Sequence, residues 1–183
     1  MAGKTPQKAV KAFRDPIAEA LGCFGPVFVG TTSTELGATS QLTLNGGKVM
    51  RLPGSDPLDL DVSIVYRVVS GRDDHPHERS RWKVSTLGWW YSLERDAEEL
   101  VAYHWHPEVK SDVTDPHLHI GGQDKTHYPT GRIMLEDVLR LAVELGVEPV
   151  DQIRWDECYE RNRANFALGA TWGLPVRSPG PQE

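Results

Sequence analysis

Hydrophobic and polar residues alternate through the middle of the chain with the period of two that is typical of β-strands. The alternation predicts strands at residues 27–31, 39–44, 48–52, 60–69, 81–93, 99–106 and 117–121. Asn45-Gly46-Gly47 between two of them predicts a hairpin turn. Because the links between consecutive strands are short, the pattern indicates an antiparallel meander.

Both ends of the chain follow the helical period instead. Near the N-terminus the apolar positions recur at helical spacing, at Val10, Phe13, Ile17 and Leu21. Thr5 followed by Pro6 predicts a helix start, and Asp15-Pro16 repeats that signal. We therefore expect two short helices, or one kinked helix, ending at Gly22.

The C-terminal part predicts two more helices. An apolar face from Met134 to Leu145 stops at Gly146, and a second helix is expected over 150–166 with Ile153, Tyr159 and Phe166 facing inward. The fold class is therefore α+β, with an antiparallel sheet meander, an N-terminal helix and two C-terminal helices. We predict a single domain over residues 1–175 and a disordered tail over 176–183.

Composition narrows the class of protein. The chain has 183 residues and a net charge of −6, which argues against a protein that coats nucleic acid by bulk electrostatics. No apolar run is long enough to span a bilayer, and the polar, basic N-terminus lacks a secretory signal. Cys23 and Cys158 lack a metal-binding spacing, so both are expected to be reduced in a cytoplasmic protein.

Candidate chemistry concentrates in two His-x-His pairs, His104-Trp105-His106 and His117-Leu118-His119, with ten residues between them. Strand parity places the imidazoles of each pair on one face and Trp105, Leu118 and Ile120 on the other. We expect the two strands to be adjacent and antiparallel. The four imidazoles would then share one surface, with Trp105, Leu118 and Ile120 mostly buried opposite them.

Three interpretations of these four histidines remain open. In the first, His104, His106, His117 and His119 are catalytic and share general acid and general base roles, as cleavage of RNA through its 2′-hydroxyl requires. In the second, the same four bind a divalent metal such as Zn, Ni or Fe, in a hydrolase or oxygenase. In the third, they form a polar sheet face whose imidazoles bond to water, to neighbours or to a protein partner.

Further candidates flank this region. His127, Tyr128 and Arg132 follow the second pair, and an arginine there can hold a phosphate of the substrate in a bidentate fork. Trp89-Trp90-Tyr91 contains adjacent tryptophans that must point to opposite faces of a strand, one into the core and one outward, where it can stack on a base. Carboxylates for a metal are available at Glu108, Asp112 and Asp115 in the loop.

One family resemblance extends beyond single motifs. An antiparallel sheet that ends in Pro116-His117-x-His119-Ile120, followed by a loop and a helix, resembles small prokaryotic TumE-like toxin proteins over roughly Trp82 to Leu145. The resemblance implies a prokaryotic toxin–antitoxin setting with RNA as substrate and a cognate protein as partner. It does not account for the His104-Trp105-His106 pair. The leading expectation is thus a small cytoplasmic RNA-cleaving enzyme, with the metal-dependent enzyme and the partner-binding protein as alternatives.

Overall fold

A computed structural model describes residues 2–71, 82–107, 113–121 and 126–169. The predicted tail over 176–183 lies outside this part of the chain, as do Glu108 and Asp112. Within it the chain forms three helices, at Pro6–Gly22 (α1), Leu135–Glu144 (α2) and Gln152–Gly169 (α3). The predicted α+β class is confirmed.

The described strands make one antiparallel sheet. In chain order they are β1 (Ala2–Gly3), β2 (Val29–Thr31), β3 (Thr39–Leu44), β4 (Met50–Leu52), β5 (Leu58–Ser70), β6 (Trp82–Arg95), β7 (Glu98–Trp105), β8 (His117–Ile120) and β9 (Tyr128–Pro129). Their order across the sheet is β2-β3-β5-β6-β7-β8-β9, while β4 pairs with β5 and β1 pairs with β6. Consecutive strands are mostly neighbours, as the short links predict.

Helix α1 starts as the sequence indicates. Thr5 accepts a hydrogen bond from the Lys8 backbone N–H through its side-chain oxygen at 3.2 Å, and Pro6 occupies the first turn. The helix continues through Pro16 to Gly22 without a break. The second cap signal at Asp15-Pro16 therefore lies inside one helix.

The three helices cover one face of the sheet. Buried apolar residues on that face include Leu42, Leu60, Ile64, Trp89 and Tyr91, and they form one cluster with residues of α1, α2 and α3. We call this the helix-side face. Burying a large apolar side chain stabilises a fold by about 1.5–3 kcal/mol, so this face supplies most of the core.

Helix α3 turns a different stripe inward from the one predicted. Trp155, Cys158, Tyr159 and Asn162 are buried at helical spacing, whereas Ile153 is 75% exposed. The prediction for Ile153 was wrong, because a residue six positions before Tyr159 lies on a different side of a helix with 3.6 residues per turn.

Strand β6 contains a β-bulge that affects both faces. Val65 of β5 pairs with Gly88 but Tyr66 pairs with Thr86, so Leu87 is an extra residue on β6. Gly88 lies so close to β7 that a side-chain Cβ there would be 2.7 Å from the Trp105 carbonyl oxygen. Glycine at this position lets the backbones of β6 and β7 approach each other.

Candidate metal centre

The register of β7 and β8 brings the two His-x-His pairs together. His104 pairs with His117, and Ala102 pairs with His119, so all four imidazoles project from the face opposite the helices. The ring centroids of His104 and His119 are 4.6 Å apart, and those of His106 and His117 are 5.3 Å apart. The predicted placement on one face of adjacent antiparallel strands is confirmed.

A fifth imidazole joins them from the start of β9. The His127 ring lies 4.7 Å from the ring of His117 and 4.7 Å from that of His119. The sequence placed His127 near a substrate but did not predict that it would complete the cluster. We refer to His104, His106, His117, His119 and His127 as the histidine cluster.

Most of the histidine cluster is buried. His104, His117 and His119 are 7%, 1% and 6% exposed, whereas His127 is exposed. Trp90 stacks on His104 with 3.6 Å between ring centroids, and it is itself 41% exposed. The two adjacent tryptophans divide as predicted, since Trp89 belongs to the core of the helix-side face.

The residues expected opposite the imidazoles agree only in part. Trp105 is buried, Leu118 is half-buried, and Ile120 is 51% exposed. The prediction for Ile120 was wrong because β9 pairs with β8 only at His117 and Leu118. Among the described residues, Ile120 therefore has no strand neighbour on that side to cover it.

Hydrogen bonding fixes the orientation of His117. Its Nδ1 lies 2.8 Å from the backbone carbonyl oxygen of Asp115. A carbonyl can only accept, so Nδ1 carries the proton and Nε2 presents a lone pair. A ring nitrogen held in this way is the usual support for a metal-binding histidine.

Three buried imidazole nitrogens lack a hydrogen-bond partner in the part of the chain that the structure describes. They are Nε2 of His104, Nδ1 of His106 and Nε2 of His117. Leaving a buried polar atom unpaired costs about 1–3 kcal/mol, so native proteins generally pair such atoms or place them at functional sites. All three belong to neighbouring residues of the histidine cluster, where one bound ligand would pair them.

The same three residues have metal-binding geometry. One imidazole nitrogen from each of His104, His106 and His117 lies within 4.8 Å of the others. Tetrahedral zinc with Zn–N bonds of about 2.0–2.1 Å has its ligands roughly 3.4 Å apart, so binding would draw these nitrogens closer together. Among the described residues this group contains no carboxylate.

Burial also keeps these ligands neutral. Burial, together with the charges of the other histidines of the cluster, lowers the pKa of His104 to about 3. Burial likewise lowers the pKa of His117, against a smaller opposing effect of the hydrogen bond to Asp115. Neutral imidazole is the form that binds metals, so both residues are ready to bind at neutral pH.

Two predicted substrate-binding residues lie away from the histidine cluster. Tyr128 pairs with Leu118, so it shares the face opposite the imidazoles, where it is 47% exposed. Arg132 lines a cavity of about 280 Å³ between the sheet and the helices, together with Tyr91 and Glu136. Its guanidinium lies 5.0 Å from the centre of the Phe166 ring. The sheet therefore separates Arg132 from the cluster where we expected it to hold a phosphate.

Comparisons with family models, with curated proteins and with solved structures found no match to this chain. No helix in the described ranges is both long enough and apolar enough to cross a membrane. The chemistry of the site therefore rests on its own geometry.

Proposed function

We propose that this protein is a metal-dependent hydrolase in which His104, His106 and His117 bind one divalent transition-metal ion. The observation that carries the proposal is the coincidence of two independent properties in these residues. Their buried nitrogens lack partners among the described residues, and one nitrogen from each lies within 4.8 Å of the other two. A metal ion would satisfy all three nitrogens at once.

The ligand set favours hydrolysis over oxygenation. Non-haem iron oxygenases typically use two histidines and one carboxylate, whereas the group here has three imidazoles and no carboxylate from the described residues. Three histidines with an open fourth position are typical of catalytic zinc, which lowers the pKa of a bound water to about 7. Zinc is therefore the first metal to test, followed by nickel and iron.

The protein residues have separate parts in this proposal. His117 is oriented by the Asp115 carbonyl, which fixes which nitrogen faces the metal. Trp90 covers one side of His104 and limits access of water to the buried ligands. Its exposed edge gives an incoming substrate a flat apolar surface beside the site. The free, buried Cys23 and Cys158 support a reducing, cytoplasmic setting as part of the same proposal.

RNA cleavage without a metal is the second candidate. It is favoured by Trp90, whose exposed ring beside the imidazoles can stack on a base, and it fits the resemblance to TumE-like toxins. Such a mechanism needs one protonated imidazole near pH 7. A pKa of about 3 disqualifies His104 as that acid, so the role would pass to another histidine of the cluster.

One set of measurements separates the candidates. The full chain would be purified without chelators and its zinc, nickel and iron measured by mass spectrometry. It would then be assayed on phosphodiester and carboxylic ester chromogens and on labelled single-stranded RNA, with and without EDTA. We expect close to one metal per chain and hydrolysis that EDTA abolishes and zinc restores.

The variants sharpen this test. His104→Ala should lower metal affinity and hydrolysis, while Tyr128→Phe, on the opposite face next to the site, should change neither. RNA cleavage that survives EDTA would replace the metal proposal with the acid–base mechanism. A protein that neither retains metal nor turns over any of these substrates would leave partner binding as the role of this face.

A further inference from the structure

We infer that the histidine cluster contains two overlapping metal positions that share His117, and that metal ions load through the outer one. The inner position is formed by His104, His106 and His117, and the outer position by His117, His119 and His127. This inference rests on the proposed metal centre. It adds an entry site, the order in which ligands are used and the stoichiometry.

The outer position has its own geometry. One nitrogen from each of His117, His119 and His127 lies within 4.8 Å of the others, as in the inner position. The ring centroids of His117 and His119 are 5.3 Å apart, and His127 lies 4.7 Å from both. Three imidazoles with no described carboxylate suit zinc, copper or nickel, and they disfavour calcium and magnesium.

The shared ligand makes the two positions mutually exclusive. His117 donates through Nδ1 to the Asp115 carbonyl, so Nε2 is its one nitrogen available to a metal. An ion in the outer position must release this nitrogen before another can use it in the inner position. We therefore expect one tightly bound ion per chain, although the cluster has enough imidazoles for two.

The two metal positions differ in burial, and this difference sets the direction in which an ion moves between them. His127 is exposed, whereas His104 and His117 are 7% and 1% exposed. Trp90, stacked on His104, covers the inner position from one side. A hydrated ion approaching from solvent therefore meets His127 first, exchanges water for His119 and His117, and then passes to the inner ligands.

The inner position is the resting place of the ion because it gains more from the transfer. Among the described residues, the buried imidazole nitrogens that lack partners belong to its three histidines, while neither His119 nor His127 contributes one. An ion in the outer position pairs only Nε2 of His117, so an ion in the inner position also recovers the desolvation cost of the unpaired nitrogens of His104 and His106. The outer position is consequently weaker and serves exchange.

The test uses the metal-free full chain and Zn²⁺ released from a chromogenic chelator in a stopped-flow instrument. With His127→Ala we expect the association and dissociation rates to fall together by about 10-fold, the lower end of what supporting residues of metal sites contribute. The equilibrium Kd should stay close to that of the unaltered protein. Tyr128→Phe is the matched control from the neighbouring position on β9.

Equilibrium titrations test the sharing of His117. His104→Ala should still bind one zinc at the outer position, with weaker affinity. The double variant His104→Ala/His119→Ala, which leaves His117 in place, should bind none. Circular dichroism would establish that each variant is folded, and the double variant replaces His117→Ala if that buried substitution prevents folding.

The outcomes separate this inference from the proposed function. If the unaltered protein binds no metal, both fail. If it binds one ion but His127→Ala loads as fast as the control, the entry site is wrong and the metal centre stands. Two tightly bound ions per chain would overturn the shared ligand, and loss of all binding in folded His104→Ala would overturn the outer position.

Discussion

Strands β5, β6, β7 and β8 project alternate residues to two faces that differ in how their buried groups are satisfied. On the helix-side face, Leu60, Trp89 and Tyr91 pack against other apolar groups. On the opposite face, His104 and His117 are equally hidden from solvent, but they hold nitrogens without a partner among the described residues. The first face stabilises the fold by burial. The second reduces stability until a ligand binds, which is the usual relation between a core and a binding site.

The largest change in stability should come from shortening a buried side chain on the helix-side face. Leu60 is fully buried, so Leu60→Ala should lower the free energy of unfolding by about 2–5 kcal/mol. Ile120→Ala, at a position that is 51% exposed, should cost less than about 0.5 kcal/mol. Urea denaturation of both variants provides the measurement. Equal losses would mean that the core does not lie where the burial pattern places it.

Metal should stabilise the protein through the histidine cluster alone. At a free zinc concentration about 100 times Kd, binding to the folded state adds roughly 2.7 kcal/mol to the free energy of unfolding. The gain should persist in Leu60→Ala and vanish in His104→Ala/His119→Ala, because only the latter lacks ligands. Urea denaturation in zinc buffers measures it. A gain that survives in the double variant would place the metal elsewhere.

The third prediction concerns pH in the metal-free protein. Burial lowers the pKa of His104 to about 3, whereas an unfolded chain protonates this side chain near pH 6.5. The unfolded state therefore binds more protons between these values. This contribution to stability is complete above pH 6.5 and is lost as the pH falls towards 3. His104 alone should account for about 1.4 kcal/mol between pH 7.5 and 5.5.

Burial also lowers the pKa of His117, so this residue adds to the loss of stability as the pH falls. Unfolding free energies measured at pH 7.5, 6.5 and 5.5 give the slope. His104→Leu should remove the His104 part of it. A stability that does not change across this range would show that both imidazoles are open to protons in the folded state.

The smallest effect should be an increase in the free energy of unfolding. His104→Leu replaces an imidazole that has an unpartnered Nε2 with an apolar side chain of similar size. In the metal-free protein at pH 7.5 it should raise the free energy of unfolding by about 1 kcal/mol, the cost of one unsatisfied buried group. Metal affinity should fall in the same variant. A loss as large as that of Leu60→Ala would contradict the distinction between the two faces.

Most of the fold could be predicted from sequence because its signals are local. Strand β3 was predicted with its observed bounds, and the long strands β5 and β6 to within two residues, because alternation over many residues fixes both period and face. The same parity predicted that the two His-x-His pairs meet. The register that sets His104 against His117 follows from the short link and the adjacent strands.

Other features depend on contacts that sequence spacing does not encode. His127 precedes a strand of two residues, too short to show alternation, so its approach to His117 and His119 could not be predicted. Arg132 follows His127 by five positions, but the chain passes to the other side of the sheet before α2. The burial of the imidazoles depends on neighbours such as Trp90, whose stacking on His104 follows from the pairing of β6 with β7.

The bulge at Leu87 determines where β6 can lose a residue. Before it, Val84 and Thr86 share a face with Val68 and Tyr66; after it, Trp89 pairs with Ile64. The inward positions are thus even-numbered on one side of Leu87 and odd-numbered on the other. Deleting Leu87 would therefore remove the bulge and leave both halves of the strand on their present faces, because Gly88, opposite Val65, would directly follow Thr86, opposite Tyr66. A one-residue deletion at a paired position of β6 would instead turn the residues beyond it to the opposite face, so Leu87 is the position at which this strand can lose a residue without exchanging its two faces.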